Sequence, residues 1–299
     1  MSLEIKKYAA IDIGSNAIRL LVSNVISKKN SEPQFKKSAL VRVPIRLGAD
    51  AFVKGEISEA NKQRMVDAMK AFKLLMGVHG VEKYRACATS AMREASNGKE
   101  VIAEVFHKSD VQIDLIDGKT EAAIIFSTDL SEVLEENRSY LYVDVGGGST
   151  EFTVFSNGKT VASKSFKIGT VRFINNVVNK KEMWPIIKDW IKENTKGLKK
   201  ITVIGSGGNI NKLFKMSGRV PGKPLSFIYL NAHYQFLKQM SYEQRISELG
   251  LNPDRADVII PATKIYLNAM KWSGAKKIIV PKIGLADGII KTMHLENKP

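Results

Sequence analysis

Apolar residues in this chain gather into short runs that stop at Asp-x-Gly turns, and the arrangement occurs twice. Residues 8–14, YAAIDIG, read as a buried strand entering a turn, and residues 17–25, AIRLLVSNV, as its hairpin partner. Residues 35–47 alternate apolar and basic positions and predict a third strand. Residues 140–156, YLYVDVGGGSTEFTVFS, repeat the theme about 130 residues later, and 159–167 supply the matching third strand. Between the copies, Ser58 and Glu59 open a helix to about Val78 with Met65, Ala68, Met69, Phe72, Leu75 and Met76 on one face. A strand at 84–88, a turn and helix in TSAMREASNG, a strand at 111–116 and a helix at 119–129 complete the first half. The second half continues with a helix at 181–195, a strand at 201–205, a helix from 209, a helix at 255–273, a strand at 277–280 and a last helix opened by residues 283–288. Trp184 and Trp190 fall at helical spacing and read as core. Two copies of strand, turn, strand, strand, each followed by helices, predict a duplicated α/β fold of two domains, 1–121 and 122–299, with a cleft between them. The last helix is allowed to pack back on the first domain.

Composition narrows the chemistry. The 299 residues carry 46 Lys and Arg against 30 Asp and Glu, a net charge of +16, with a pI near 9.7. Such a surface attracts polyanions. The lysines fall in scattered pairs (Lys6-Lys7, Lys36-Lys37, Lys199-Lys200) rather than in one tail, and no nucleic-acid-binding motif is present, so specific nucleic-acid binding is not expected. No apolar run reaches the roughly 20 residues of a membrane span, and the start lacks a signal peptide's pattern. A soluble, cytoplasmic protein is expected, and Cys87, the only cysteine, fits a reducing compartment. His79, His107, His233 and His294 have no metal-ligand spacing, which speaks against zinc. A hard cation held by carboxylates remains open.

Three glycine loops carry the chemistry. In Asp12-Ile13-Gly14-Ser15-Asn16, Gly14 allows a close approach of backbone to phosphate, and Ser15 and Asn16 add donors to an array of N–H groups. Arg19 in the returning strand points either at an anion or into a salt bridge. Asp12, at a strand end, is suited to Mg²⁺ rather than to phosphate. In Asp144-Val145-Gly146-Gly147-Gly148-Ser149-Thr150-Glu151, three successive glycines are entropically costly in a hairpin unless something must approach the backbone. Ser149 adds a hydroxyl, and Asp144 and Glu151 place carboxylates at the mouth of the turn. Gly205-Ser206-Gly207-Gly208-Asn209 follows a strand and opens a helix whose N-terminus attracts anions. Neither G-x-G-x-x-G nor G-x-x-x-x-G-K-[ST] occurs, so dinucleotide and P-loop readings fail.

Together these loops resemble the phosphate-1, phosphate-2 and adenosine motifs of the actin, hexokinase and Hsp70 superfamily, whose domains are ribonuclease H-like. DIGSNAIRLLV, VRVPIRLG, ATSAMREASN, DVGGGSTEF, IGTVRF, GSGGN, RADVIIPA and GLADGI are similar, in order and over almost the whole chain, to the exopolyphosphatase and guanosine pentaphosphate phosphohydrolase family. That resemblance implies hydrolysis of a terminal phosphoanhydride of polyphosphate or guanosine pentaphosphate, with Mg²⁺. Glu121 takes the position of the family's proposed general base, with Glu151 as a second catalytic carboxylate. Asp12 and Asp144 would serve the metal. Gly14, Ser15, Asn16, Arg19, Arg93, Gly146, Gly147, Gly148, Ser149, Gly207 and Gly208 would serve the phosphates. The family commonly has Glu-Glu-Ala-Arg where this chain has Thr120-Glu121-Ala122-Ala123. One acid and the arginine are missing, which bears on turnover and substrate preference. Longer members add helical C-terminal domains, so weaker processivity on long chains is expected here. A homodimer is implied only by the resemblance. Two other readings stand beside this one: an ATP-dependent phosphotransferase of the same superfamily, and a weakly active regulator that binds polyphosphate or an alarmone.

Overall fold

The computed structural model describes residues 3–29, 31–127, 135, 137–281 and 283–296. The chain forms two compact units, Met1–Thr128 with Gly284–Pro299, and Asp129–Ile283. A boundary at 121–122 would cut the helix Gly118–Phe126; the divide falls beyond that helix.

Unit 1 is built on a five-stranded sheet of order β3-β2-β1-β4-β5. Its strands are β1 (Leu3–Ile13), β2 (Ile18–Lys28), β3 (Gln34–Val43), β4 (Lys83–Ala88) and β5 (Ile113–Leu115). β1, β2 and β3 run antiparallel in hairpin order, whereas β4 and β5 run parallel to β1. The carboxyl half of β1 is buried from Tyr8 through Ile13, as a strand between two neighbours and under helices must be. The helix Glu59–Val78 starts at an N-cap, Ser58, and buries Met65, Val66, Met69, Phe72 and Met76. The last helix, Leu285–Leu295, belongs to this unit. It is tied there by Lys37 to Asp287 at 2.7 Å and by an edge-on contact of His294 with Phe35. Gly288 lies so close to the helix Gly118–Phe126 that a Cβ there would stand 2.2 Å from the Ile124 carbonyl oxygen.

Unit 2 repeats the plan. Its six-stranded sheet has the order β10-β11-β9-β6-β7-β8. The strands are β6 (Ser139–Val145), β7 (Thr150–Ser156), β8 (Lys159–Phe166), β9 (Thr202–Ser206), β10 (Leu225–Ser226) and β11 (Lys277–Ile279). β6, β7 and β8 are antiparallel, β9 is parallel to β6, and β11 is parallel to β9. The order β8-β7-β6-β9-β11 therefore matches β3-β2-β1-β4-β5 of unit 1. The duplication extends to register. Asp12 pairs with Arg19 and Asp144 with Glu151 at the mouths of the two hairpins. The ladder also slips at the same place in both copies, between Val22 and Ser23 and between Val154 and Phe155. Trp190 packs edge-on against Phe166, and Trp184 against Trp272, which places both tryptophans against the core.

Three differences from the sequence pattern have physical causes. β3 ends at Val43 rather than at 47, because the chain turns away through Arg46, held in the left-handed region at φ 63°. The helix expected over 255–273 is two helices, Pro253–Ala256 and Ile259–Ser273. Pro261 has no N–H for the Asp257 carbonyl, so it fits a first turn and not a helix interior. The helices Phe227–Gln239 and Tyr242–Ser247 are not signalled by apolar periodicity; the first begins with four consecutive apolar or aromatic residues, 227–230, and the second rests on a capping box of Ser241 and Gln244.

Candidate active site

In unit 1 the parallel strands β1, β4 and β5 end in register, Ile13 beside Ala88 and Ala88 beside Leu115. The loops that leave their carboxyl ends carry Gly14 to Asn16, Ser90 to Arg93 and Asp117 to Glu121. Ligands bind at such ends in open α/β sheets. The first loop is a four-residue turn in which the Gly14 N–H donates to the Ala17 carbonyl at 3.2 Å. Its other carbonyls are held from outside: Gly48 N–H donates to Ser15 at 2.8 Å and Arg46 N–H to Asn16 at 3.0 Å. A peptide plane holds its C=O and the next N–H in opposite directions. Fixing the carbonyls of Ser15 and Asn16 therefore aims the N–H groups of Asn16 and Ala17 away from the 46–48 segment. Among the described residues, the N–H groups of Ser15 and Ala17 have no acceptor within the protein. The Ser15 hydroxyl shares a buried 2.9 Å hydrogen bond with Ser90, which joins this loop to the one after β4.

Asp12 is buried, and Arg19 sits across the hairpin with Nη1 at 2.9 Å from its carboxylate. Burial pushes the Asp12 carboxyl above its ordinary pKa, against the charge and hydrogen bond of Arg19. Of the two roles open to Arg19, the structure shows the salt bridge. Arg93, at the end of the helix Ser90–Glu94, donates from Nη1 to the Ile116 carbonyl at 2.7 Å.

Glu121 stands in the first turn of the helix Gly118–Phe126, whose N-cap Asp117 accepts from the Thr120 N–H at 2.7 Å. The side chain is half-buried. Glu121 and Asp12 both act electrostatically on the thiol of Cys87, which lies beside Asp12 in the β1–β4 register. Cys87 is fully buried; mainly through burial its thiol is pushed up to about 12. Only the thiolate reacts readily with alkylating agents. Native protein treated with iodoacetamide at pH 8 is therefore expected to stay unmodified by mass spectrometry, and denatured protein to gain one adduct. Rapid labelling of the native chain would contradict this packing.

In unit 2 the triple-glycine turn has the same form: Gly146 N–H donates to the Ser149 carbonyl at 3.0 Å. Three successive glycine carbonyls are captured by the segment that follows β8. Thr170 N–H donates to Gly146 at 3.0 Å, Val171 N–H to Gly147 at 2.9 Å and Arg172 Nε to Gly148 at 2.7 Å. Among the described residues, the N–H groups of Gly147, Gly148 and Ser149 have no acceptor within the protein. Glu151 is buried, and Ser165 donates to its Oε1 at 2.8 Å.

The third loop lies against the second. Asp144 pairs in register with Ser206, and a Cβ on Gly207 would stand 3.2 Å from Asp144 Oδ1. Gly207 has φ 110°, a conformation that requires glycine, and it leads directly into the helix Gly208–Met216. Tyr266, fully buried, donates its hydroxyl to the Ser206 carbonyl, and Arg255 Nη1 donates to the Gly208 carbonyl at 3.0 Å.

The predicted site residues thus fall into two sets, each drawn together by its own unit. Gly14, Ser15, Asn16, Asp12, Arg19, Arg93 and Glu121 lie at the strand ends of unit 1. Gly146, Gly147, Gly148, Ser149, Asp144, Glu151, Gly207 and Gly208 lie at those of unit 2. Sequence reasoning assigned no role to the backing residues Arg46 to Gly48, Gly169 to Arg172, Arg255 and Tyr266. The strings VRVPIRLG, IGTVRF and RADVIIPA, which contain most of them, were the available signal. No group of three or more His, Cys, Asp or Glu side chains among the described residues is arranged to hold a metal. No helix among the described residues is long and apolar enough to cross a membrane.

Two units of one strand order, each with an Asp-x-Gly hairpin turn at the end of its central strand, define a duplicated two-unit α/β fold. Residues 25–297 match the Ppx/GppA phosphatase family, and the chain belongs to that family. A bifunctional 3-dehydroquinate synthase/phosphatase of Fusobacterium nucleatum is 33% identical over 297 residues, covering 91% of this chain and 44% of that protein. The chain thus spans less than half the length of that relative. Exopolyphosphatase 2 of Mycobacterium tuberculosis is 25% identical over 330 residues, covering 96% of this chain and 98% of the relative. The crystal structure of an exopolyphosphatase from Cytophaga hutchinsonii has the same fold, with a TM-score of 0.82 over 98% of this chain and 99% of that one, at 24% identity.

Proposed function

We propose that this chain is an exopolyphosphatase-type hydrolase that releases terminal orthophosphate from inorganic polyphosphate or guanosine pentaphosphate by attack of water. The observation that carries the reading is the paired construction of the two hairpin turns. In each, carbonyls are tied back from outside while N–H groups are left with no acceptor among the described residues. Such an array suits anionic oxygens, those of phosphate among them. Glu121, in the first turn of its helix, accepts the proton of the attacking water. In unit 1 the N–H groups of Ser15 and Ala17, and in unit 2 those of Gly147, Gly148 and Ser149, are suited to bind phosphate oxygens and to stabilise the charge that spreads over them during transfer. Arg93 adds a guanidinium, suited to phosphate, beside the Glu121 helix. Ser165 holds Glu151 in place as the second carboxylate.

Mg²⁺ fits this donor set in one form. A small cation that keeps most of its water needs only one or two carboxylates together with phosphate oxygens, and no ready-made protein cage. Asp12 and Asp144, each at the mouth of its hairpin, are the candidates, and one Asp12 oxygen also receives Arg19 at 2.9 Å. When bound, the ion would neutralise phosphate charge. By resemblance to the family, the proposal includes a cytoplasmic homodimer.

A second reading, a polyphosphate or alarmone binder with little turnover, is favoured by Thr120-Glu121-Ala122-Ala123, which lacks the second acid and the arginine common in the family. One experiment separates the readings: orthophosphate release from polyphosphate, guanosine pentaphosphate and ATP, each with Mg²⁺ or with EDTA. Mg²⁺-dependent release from polyphosphate or pentaphosphate is expected. Tight binding without release would replace the hydrolase with the binder, and transfer from ATP only when an acceptor is added would indicate a phosphotransferase.

A further inference from the structure

Of the carbonyls tied back behind the two phosphate turns, one is held differently from its counterpart. The turns align residue for residue, Gly14 with Gly146, Ser15 with Gly147, Asn16 with Gly148 and Ala17 with Ser149, since each begins two residues after the paired aspartate and closes with the same hydrogen bond. At the second position both copies use a backbone donor, Gly48 N–H in one and Val171 N–H in the other. At the third position unit 1 again uses backbone, the Arg46 N–H on the Asn16 carbonyl, and reaches it by holding Arg46 at φ 63°. Unit 2 instead uses a side chain, with Arg172 Nε on the Gly148 carbonyl at 2.7 Å.

Arg172 is suited to this task. It lies in the short helix Thr170–Ile174, is only 7% exposed, and its own N–H reaches the Gly147 carbonyl at 3.3 Å. A buried guanidinium is costly to place and is kept where its hydrogen bonds are used. The Gly148 carbonyl and the Ser149 N–H share one peptide plane and point in opposite directions. Gly148 has no side chain to restrict its side of that plane, so the plane is less confined there than it would be beside any other residue.

We infer that Arg172 is a positioning residue of the phosphate site: by holding the Gly148 carbonyl it aims the Ser149 N–H at the bound phosphate, without touching the phosphate itself. The inference rests on the hydrolase reading for its kinetic test and on anion binding alone for its spectroscopic one.

Glutamine and methionine separate the explanations. In Gln the amide nitrogen is as many bonds from the backbone as Arg Nε, so Arg172→Gln keeps the donor and removes the charge. Arg172→Met keeps the bulk and loses the donor. With polyphosphate and Mg²⁺, Arg172→Met is expected to lose about 10- to 100-fold in kcat/KM, the effect of leaving the buried Gly148 carbonyl without a donor. Arg172→Gln is expected to stay within about threefold of wild type. In amide NMR of the full chain titrated with inorganic phosphate, the Ser149 resonance is expected to shift in the wild type and Arg172→Gln and not in Arg172→Met. Equal losses in a folded Gln and Met pair, a Met variant as active as wild type, or a Ser149 amide indifferent to phosphate in the wild type would overturn the assignment. Where Arg172→Met does not fold, the Gln variant decides: near-normal kcat/KM supports positioning, and a tenfold fall in folded protein refutes it. Absence of turnover in the wild type would defeat the hydrolase reading and leave the Ser149 shift to judge Arg172.

Discussion

Replacing Glu121 by glutamine is expected to lower kcat on polyphosphate by about 100- to 10,000-fold, the usual contribution of a positioned general base. The affinity for the phosphate chain should stay near the wild-type value. Glutamine keeps the size and hydrogen-bonding reach of the side chain but cannot accept the water's proton at neutral pH. The backbone should not respond, because the helix start does not depend on this side chain: Asp117 caps the Thr120 N–H at 2.7 Å, and the Glu121 N–H reaches the Asp117 carbonyl at 2.9 Å. The N–H groups proposed to bind phosphate lie on other loops. Steady-state kinetics with a separate measurement of polyphosphate binding checks this, and a parallel loss of binding and turnover would show that Glu121 holds the structure or the ligand instead of the proton.

Gly169→Ala is expected to cost more than Gly146→Ala, where the nearest atom to an added Cβ is the Ser149 carbonyl oxygen at 3.0 Å. Gly169 has φ −146°, so backbone conformation does not require glycine here; space does. A Cβ would stand 2.3 Å from the Gly147 carbonyl oxygen, 2.4 Å from its carbonyl carbon and 2.6 Å from the Gly148 carbonyl carbon. All three atoms are backbone, so no flexible side chain can give way. Either the segment 168–172 withdraws from the turn, releasing the captured carbonyls, or the turn moves. Overpacking of this kind costs about 1–3 kcal/mol, and both routes misdirect the N–H groups of Gly147, Gly148 and Ser149. A lowered melting temperature together with at least a tenfold loss in kcat/KM is expected, on the order of one or two misplaced phosphate hydrogen bonds. Gly77→Ala provides the comparison: it lies in the helix Glu59–Val78 with nothing within 4 Å of the added Cβ, and should be neutral or slightly stabilising. Equal behaviour of the two variants would remove the steric account of the turn's rigidity.

These predictions draw on different kinds of information. Glu121 was legible from its place in the chain, at the start of a helix after a strand, once the family's strings had been matched. Gly169 was not. Its neighbours Gly147 and Gly148 are more than twenty residues away, and nothing about an isolated glycine in IGTVRF tells that a carbonyl lies against it. Arg172 lies in the matched string IGTVRF, but nothing in that string tells that its side chain is buried or that it holds a glycine carbonyl. The salt bridge of Arg19 stood between the two cases. Cross-strand pairing of Asp12 with Arg19 follows from a four-residue turn, whereas the choice between a bound anion and Asp12 as its partner depends on how deeply Asp12 is buried.

From sequence alone came the duplicated strand, turn and strand units, the three glycine loops and the carboxylates at their mouths, because hydrophobic period and glycine spacing are local properties of a chain; the chemical class came from the resemblance of its strings to a known family. Tertiary structure decided that helix Leu285–Leu295 belongs with the first unit and that segments 46–48 and 169–172 back the two turns. The reason is physical: the direction of an N–H group is set by whatever holds the carbonyl on the other side of its peptide plane, and that partner comes from residues distant in sequence.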